Sequence, residues 1–221
     1  MSGPLLGAVP GDDGCRFTVW APGATRVTVV TEEPAEGGGG AATTGLTASS
    51  APPAPLALEE LKVTTPLAAG AGGYWSGVVP GVMAGAAYGF VLDGLDGLDG
   101  PEGGAEPRPD PASRHQPWGV YGPSAVDDPR RFRWIDHGWR GVELADVVYY
   151  ELHVGTFTPA GTLEAAAGEL PRLAALGVTM VELMPVNAFP GVRGWGYDGV
   201  FPSAVHHPYG GPEGLATFVD A

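Results

Sequence analysis

The chain has 221 residues, enough for one large domain or two modest ones, and 44% of them are hydrophobic, so a packed core can form. Its 25 acidic and 11 basic residues give a formal net charge of −14. This balance argues against nucleic acid and membrane surfaces as partners, because both are bound through clustered lysine and arginine.

The cysteine content and the N-terminal sequence bear on the cellular compartment. Cys15 is the single cysteine, so no intramolecular disulfide can form. The first residues lack the basic and apolar regions of a secretory signal, and no apolar run approaches the roughly 20 residues that span a bilayer. We therefore expect a cytoplasmic protein.

Residues 1–105 are predicted to form an all-β sandwich. The segments Arg16–Trp20 and Arg26–Val30 are rich in β-branched and aromatic residues, with Pro22-Gly23 between them as a turn. The sequences YWSGVVPG and AAYGFVLDG add two more short strands. Short strands with frequent turn signals are typical of a sandwich.

A Gly-, Ala- and Pro-rich insertion at 32–73 interrupts this pattern. Its composition predicts a flexible loop over Glu36–Pro55, followed by a short strand or helix within Leu56–Val63. A second acidic stretch, Asp93–Pro107, has Asp-x-x-Asp spacing but lacks the terminal Glu of a calcium loop. We expect it to be solvated and to bind no metal.

Residues 106–145 are predicted to be an ordered linker between two domains. The four prolines within Pro107–Pro117 exclude a regular helix or a central strand. The segment nevertheless carries large aromatic side chains, which we expect to be covered by packing: Trp118, Tyr121, Phe132, Trp134 and Trp139.

The spacing of hydrophobic residues changes over residues 146–221 and predicts a βαβ unit. Val147–Val154 and Val178–Val186 are apolar runs typical of strands covered on both faces. Between them, apolar residues recur at helical spacing from the N-cap Thr162 to Leu176, which predicts one helix and therefore parallel strands. Pro171 in the interior of that helix would cost about 3 kcal/mol, and its presence is unexplained by the pattern.

A second helix is predicted after Gly210, with Pro212 in its first turn. Two parallel strands alone do not make a stable sheet with both faces covered. The zone therefore indicates the first part of a larger α/β structure.

The long loop after the second predicted strand is the candidate ligand site, because ligands gather at the carboxyl ends of parallel strands. Aromatic faces with carboxylates and imidazoles beside them suit sugar rings and their hydroxyls. Those residues are Phe189, Arg193, Trp195, Tyr197, Asp198, Phe201, His206, His207 and Tyr209. The alternative is a folded loop whose aromatics only cover the strand ends.

Several motifs resemble the opening of the catalytic barrel in the α-amylase family of glycoside hydrolases. These are ELHVGTFT, GVTMVELMPV, WGYDGV and PYGGPEGL. The linker RPDPASRHQPWGVYGPS is similar, more narrowly, to that of the trehalose-releasing members of the family. The resemblance covers roughly residues 14–31 and 74–221 and leaves the insertion unmatched.

The resemblance implies a multidomain protein: an N-terminal immunoglobulin-like sandwich followed by the first part of a (β/α)8 TIM barrel. It implies an α-glucan substrate, maltooligosyltrehalose, cleaved at the α-1,4 bond next to its terminal trehalose, with no cofactor. Tyr197 would stack on the glucose in the −1 subsite and Asp198 would hydrogen-bond its hydroxyls. Trp195 would support Tyr197 from behind or line the same pocket, and His153 would support its floor, the alternative being a core histidine with no ligand role.

The family's catalytic carboxyl groups follow later barrel strands, so the resemblance implies that this chain contains no catalytic residue and is inactive alone. Two alternatives remain at this point. One is a glycogen branching or isoamylase-type debranching enzyme, and the other is a non-catalytic glucan-binding module.

Overall fold

A computed structural model describes residues 4–33, 54–95 and 106–221. Most of the predicted loops Glu36–Pro55 and Asp93–Pro107 lie outside the described residues. The strands of the described part are β1 (Gly7–Pro10), β2 (Gly14–Trp20), β3 (Arg26–Thr31), β4 (Val63–Pro66), β5 (Ala68–Ala69), β6 (Tyr74–Pro80), β7 (Ala87–Asp93), β8 (Ser124–Ala125), β9 (Tyr149–Leu152), β10 (Met180–Leu183), β11 (Asn187–Ala188) and β12 (Phe201–Val205). The α-helices are α1 (Val154–Phe157), α2 (Leu163–Ala167), α3 (Leu170–Leu176) and α4 (Gly211–Asp220).

The first eight strands form two four-stranded antiparallel sheets, in the orders β1-β2-β6-β5 and β4-β3-β7-β8. In the first sheet Cys15 lies opposite Val79, and in the second Val29 lies opposite Phe90. The four strands expected from the sequence pattern are β2, β3, β6 and β7, and these are the central strands of the two sheets. The prediction of a β-rich N-terminal region is therefore confirmed.

One hydrophobic core lies between the two sheets. The rings of Phe17 and Tyr88 are 4.9 Å apart, and those of Tyr88 and Phe90 are 5.9 Å apart. Burying each such side chain contributes about 1.5–3 kcal/mol. Cys15 is fully buried in the same cluster, and burial raises the pKa of its thiol to about 12, so the thiol stays neutral and unreactive.

The last part of the insertion predicted at 32–73 is ordered. Strand β4 pairs with β3 and β5 pairs with β6, so each extends one of the two sheets. Leu58 and Leu61, in and after a 3-10 turn at Leu58–Glu60, are buried against Val30. These residues take part in the fold because their backbone pairs with neighbouring strands and two of their leucines are buried.

The proline-rich linker packs onto the two sheets. Arg114 donates hydrogen bonds of 3.1 Å to the carbonyl oxygens of both Leu6 and Ala8, along the edge strand β1. Asp110 and Ser113 are fully buried, and β8 pairs with β7 at the edge of the second sheet. The first part of the linker, up to β8, is therefore packed against the β-rich region.

The expectation that all the linker aromatics are covered is wrong. Trp118 and Phe132 are half-buried, but Tyr121 is 84% exposed, and Trp134 and Trp139 are also exposed. Tyr121 lies on a turn, and Trp134 and Trp139 lie in irregular segments that no described strand or helix covers.

The parallel βαβ unit is confirmed: β9 and β10 pair in parallel, with Tyr150 opposite Val181. A short helix, α1, follows β9 directly, and the single helix expected from Thr162 to Leu176 is instead two helices, α2 and α3. Thr162 caps α2 by accepting a hydrogen bond from the amide of Ala165, and Gly177 ends α3 in the left-handed conformation. Helix α2 ends at Ala167 and a new helix starts at Leu170. Pro171 therefore falls in the first turn of α3, where it displaces no helical hydrogen bond.

The expected coverage of β9 and β10 on both faces is not found. Tyr149 is 59% exposed, and Glu151 and Glu182 are exposed and lie directly opposite each other. Their core contact is made on one side, where Leu152 packs with Leu163 and Phe218. The apolar runs thus mark strands, but in this chain they are covered by helices on one face.

The expected second helix is α4, which starts next to Pro212 and packs against α2. Before it, the chain after β10 folds back as the antiparallel pair β11–β12. In the described part of the chain, no helix combines the length and apolar character needed to cross a bilayer.

Candidate functional site

The candidate site lies where β9 and β10 end. His153 directly follows β9, and the loop between β11 and β12, residues 189–200, returns to it. The Nε2 atom of His153 is 2.8 Å from the carbonyl oxygen of Gly194, which can only accept a hydrogen bond. His153 therefore carries its proton on Nε2, and the hydroxyl of Thr156 donates to its Nδ1 at 3.0 Å.

A buried tyrosine completes this contact. The hydroxyl of Tyr209 lies 3.2 Å from His153 Nε2 and donates to the carbonyl oxygen of Gly194 at 3.4 Å. Burial raises the pKa of the Tyr209 hydroxyl above its ordinary value of about 10, so it stays protonated at neutral pH. Two side chains from distant parts of the chain, those of His153 and Tyr209, thus hold the peptide that precedes Trp195.

Glycines set the path of the loop beyond that point. Gly196 has φ +87°, and a side chain there would collide with the backbone carbonyl of Pro185. A side chain at Gly199 would collide with Asn187. The backbone of the loop therefore lies tightly against the end of β10 and the start of β11.

The side chains between Gly194 and Gly199 face solvent. Trp195 is 61% exposed, with its ring 4.8 Å from that of His153, and Tyr197 is 74% exposed. Asp198 is exposed and, among the described residues, its carboxylate makes no hydrogen bond or ion pair. The structure thus brings His153 and Trp195 into contact and presents Tyr197 and Asp198 on the same loop.

A layer of histidines lies behind the loop. The ring of Phe189 stacks on His206 at 3.7 Å, and the edge of His206 meets Tyr209 at 4.8 Å. Burial, followed by the nearby His207, lowers the pKa of His206 to about 4. At neutral pH His206 is therefore an uncharged packing group.

The same layer connects the linker to the loop. His115 Nε2 lies 3.4 Å from His207 Nδ1, and His115 forms a parallel bridge with Val205 of β12. Burial, and then His207, lowers the pKa of His115 to about 3. This contact fastens the proline-rich linker to the far side of the candidate site.

Sequence reasoning missed three groups in the site: Thr156, the Gly194 carbonyl and the hydroxyl of Tyr209 as a partner of His153. The only signal was the pair of glycines around Trp195, which indicates a tightly constrained backbone. Within the described ranges, no cluster of His, Cys, Asp or Glu could hold a metal ion. The arrangement suits binding of a ring through aromatic faces and a carboxylate, without supplying a paired acid and base.

No family model matches the chain. Malto-oligosyltrehalose trehalohydrolase from Rhizobium sp. (strain M-11) is 42% identical over 221 residues, which are 100% of this chain and 32% of that protein. The chain thus spans about a third of the length of this curated relative.

Two solved structures are similar in fold. A Salmonella typhimurium protein described as an alpha amylase has a TM-score of 0.75 and 38% identity, over 97% of this chain and 30% of its own. The Group B Streptococcus pullulanase SAP, solved in complex with maltotetraose, has a TM-score of 0.65 and 20% identity, over 94% of this chain and 29% of its own.

Proposed function

Because the chain is homologous to the N-terminal third of malto-oligosyltrehalose trehalohydrolases, a group of α-amylase-family glycoside hydrolases, we propose that it belongs to a protein with that activity. The whole protein would hydrolyse the α-1,4 bond next to the terminal trehalose of maltooligosyltrehalose and release trehalose. The observation that carries this proposal is the identity of 42% across the whole chain, which includes the linker and the candidate loop.

The geometry of the loop supports a sugar-binding role for this part of the protein. The exposed face of Tyr197 would stack on the glucose ring in the −1 subsite, and the carboxylate of Asp198 would accept hydrogen bonds from its hydroxyls. Trp195 would line the same pocket, and His153 would support the loop from below through Gly194.

The finer domain organisation is part of the same proposal. Residues 1–105 would form an immunoglobulin-like sandwich, and residues 106–145 an ordered linker. Residues 146–221 would form the first part of a (β/α)8 catalytic barrel. The parallel pair β9–β10 and its following helices support that reading.

The catalytic carboxylates would lie on barrel strands outside this chain. A retaining glycosidase needs two carboxyl groups about 5–5.5 Å apart that flank the scissile bond. Asp198 is the only acidic residue in the candidate loop, and it is assigned to binding. We further propose a cytoplasmic location, an α-glucan substrate and no cofactor.

The test uses the longer protein that contains this chain, incubated with maltooligosyltrehalose. Release of trehalose is expected. Release of linear maltooligosaccharides alone, or formation or loss of α-1,6 branch points in amylose or glycogen, would instead favour a debranching or branching enzyme. Binding of maltooligosaccharide without any turnover would favour a glucan-binding module. The 221-residue chain alone is expected to release no trehalose.

A further inference from the structure

We propose that Tyr209 is a positioning residue for the proposed reaction: together with His153 it fixes the Gly194 peptide and thereby the orientation of Trp195 and Tyr197. This inference rests on the proposed function for its kinetic consequence. Tyr209 itself would not touch the substrate, because its side chain is only 2% exposed.

The imidazole of His153, the carbonyl of Gly194 and the hydroxyl of Tyr209 all have hydrogen-bond partners. The Gly194 carbonyl has two lone pairs and receives one proton from His153 Nε2 and one from the Tyr209 hydroxyl. The Tyr209 oxygen, which has lone pairs free, lies 3.2 Å from His153 Nε2 and shares its proton. Thr156 holds the other ring nitrogen of His153, so the imidazole cannot rotate without losing contacts at both nitrogens.

Tyr209 is itself rigidly held. Its ring packs edge-to-face against Phe189 at 5.9 Å and against His206 at 4.8 Å. Its amide donates to the carbonyl of His206 at 3.0 Å, at the end of the 3-10 turn His207–Tyr209 that precedes α4. The hydroxyl of Tyr209 therefore links the loop to a buried aromatic cluster, which fixes the position of the hydroxyl.

The loop has two anchors, and Trp195 lies between them. One anchor is the Gly194 carbonyl, and the other is Gly196, whose backbone lies against Pro185. If the first anchor is lost, the Gly194 peptide can rotate, and the exposed rings of Trp195 and Tyr197 lose their fixed orientation. Since a stacking interaction depends on the angle between the rings, this rotation weakens the contact that tightens in the transition state.

The experiment compares Tyr209→Phe with wild type and with Tyr121→Phe in the longer protein. Tyr121 is a matched control because its hydroxyl is on an exposed turn. Tyr209→Phe keeps the buried ring and removes only the hydroxyl. We expect kcat for trehalose release to fall about fivefold to tenfold with KM within twofold, in a variant that remains folded at the assay temperature. Tyr121→Phe should behave as wild type.

A second readout does not depend on activity. In protein labelled with 5-fluorotryptophan, the 19F resonance of Trp195, identified by its loss in Trp195→Phe, should shift or broaden in Tyr209→Phe and not in Tyr121→Phe. If wild type releases no trehalose, the proposed function fails, and this resonance alone decides the positioning role.

An unchanged Trp195 resonance together with kcat within twofold of wild type would overturn the proposal. A loss of activity that only follows a loss of folded protein would overturn it as well. If Tyr209→Phe does not fold, Thr156→Val replaces it, because it releases the other nitrogen of His153. The same shift of the Trp195 resonance is expected there, and its absence counts against the proposal.

Discussion

The hydroxyl of Tyr88 donates a 2.6 Å hydrogen bond to the carboxylate of Asp110, and both side chains are buried. Tyr88 lies on β7 in the core between the sheets, and Asp110 belongs to the proline-rich linker. Asp110 also accepts a hydrogen bond of 2.8 Å from the amide of Ala112. The bond from Tyr88 helps to hold the linker on the sheets, because the buried carboxylate of Asp110 needs a hydrogen-bond donor and Tyr88 supplies one.

Replacing Tyr88 by Phe should destabilise the chain. The change keeps the aromatic packing but leaves the buried carboxylate of Asp110 without one of its donors, which costs about 1–3 kcal/mol. Urea unfolding followed by tryptophan fluorescence measures the free energy of unfolding. Tyr121→Phe is the control and should have no effect, and equal stability of Tyr88→Phe and wild type would contradict the importance of this bond.

The free energy of unfolding should fall as the pH is lowered from about 6.5 to 5. His115 and His206 have folded-state pKa values of about 3 and about 4, below the value of about 6.5 in an unfolded chain. In this window the unfolded state takes up protons that the folded state does not, so the contribution of these two histidines to stability is fully present above pH 6.5 and falls below it. The slope is up to about 1.4 kcal/mol per pH unit for each group.

The variant His206→Phe tests this assignment. It keeps a ring against Phe189 and removes a nitrogen, Nε2, that is buried without a hydrogen-bond partner among the described residues. Its stability should be less sensitive to pH between 6.5 and 5 than that of wild type. His137→Phe, at an exposed position, should leave the slope unchanged. An identical slope in His206→Phe and wild type would show that His206 does not contribute.

Gly196→Ala should disturb the candidate loop more than Gly191→Ala does. Both glycines have positive φ, +87° and +78°, so each alanine carries a backbone cost of about 1–2 kcal/mol. Only Gly196 adds a collision with the carbonyl of Pro185, whereas the space around Gly191 is open. Thermal unfolding of the two variants should therefore show a larger loss for Gly196→Ala. Equal losses would mean that the loop can move away from Pro185.

Tyr197→Ala should lower kcat/KM for trehalose release by about tenfold in the longer protein, because one stacking face is worth up to about 1.5 kcal/mol. Tyr197→Phe keeps the face and should retain most activity. Since the side chain is exposed, both variants should unfold within about 0.5 kcal/mol of wild type. Unchanged kinetics of Tyr197→Ala would place Tyr197 outside the −1 subsite.

The sequence pattern predicted the central strands of both sheets and none of the edge strands. Phe17 and Val29 are fully buried on strands that have a paired neighbour on each side, so hydrophobic and β-branched residues are needed there. The edge strands β1, β4, β5 and β8 are two to four residues long, and their main contribution is backbone pairing. Backbone hydrogen bonds carry no residue preference, so these strands leave little trace in the sequence.

The sequence by itself also determined the parallel pair β9–β10 and the position of the aromatic loop, because apolar runs and a Gly-Trp-Gly-Tyr motif are local features. Only the tertiary structure decided what holds the loop. His153 meets Gly194, 41 residues away, and Tyr209, 56 residues away, while His115 meets His207, 92 residues away. Contacts at such separations depend on the path of the whole chain. A pattern of neighbouring residues determines which side chains are buried, and the fold determines which of them meet.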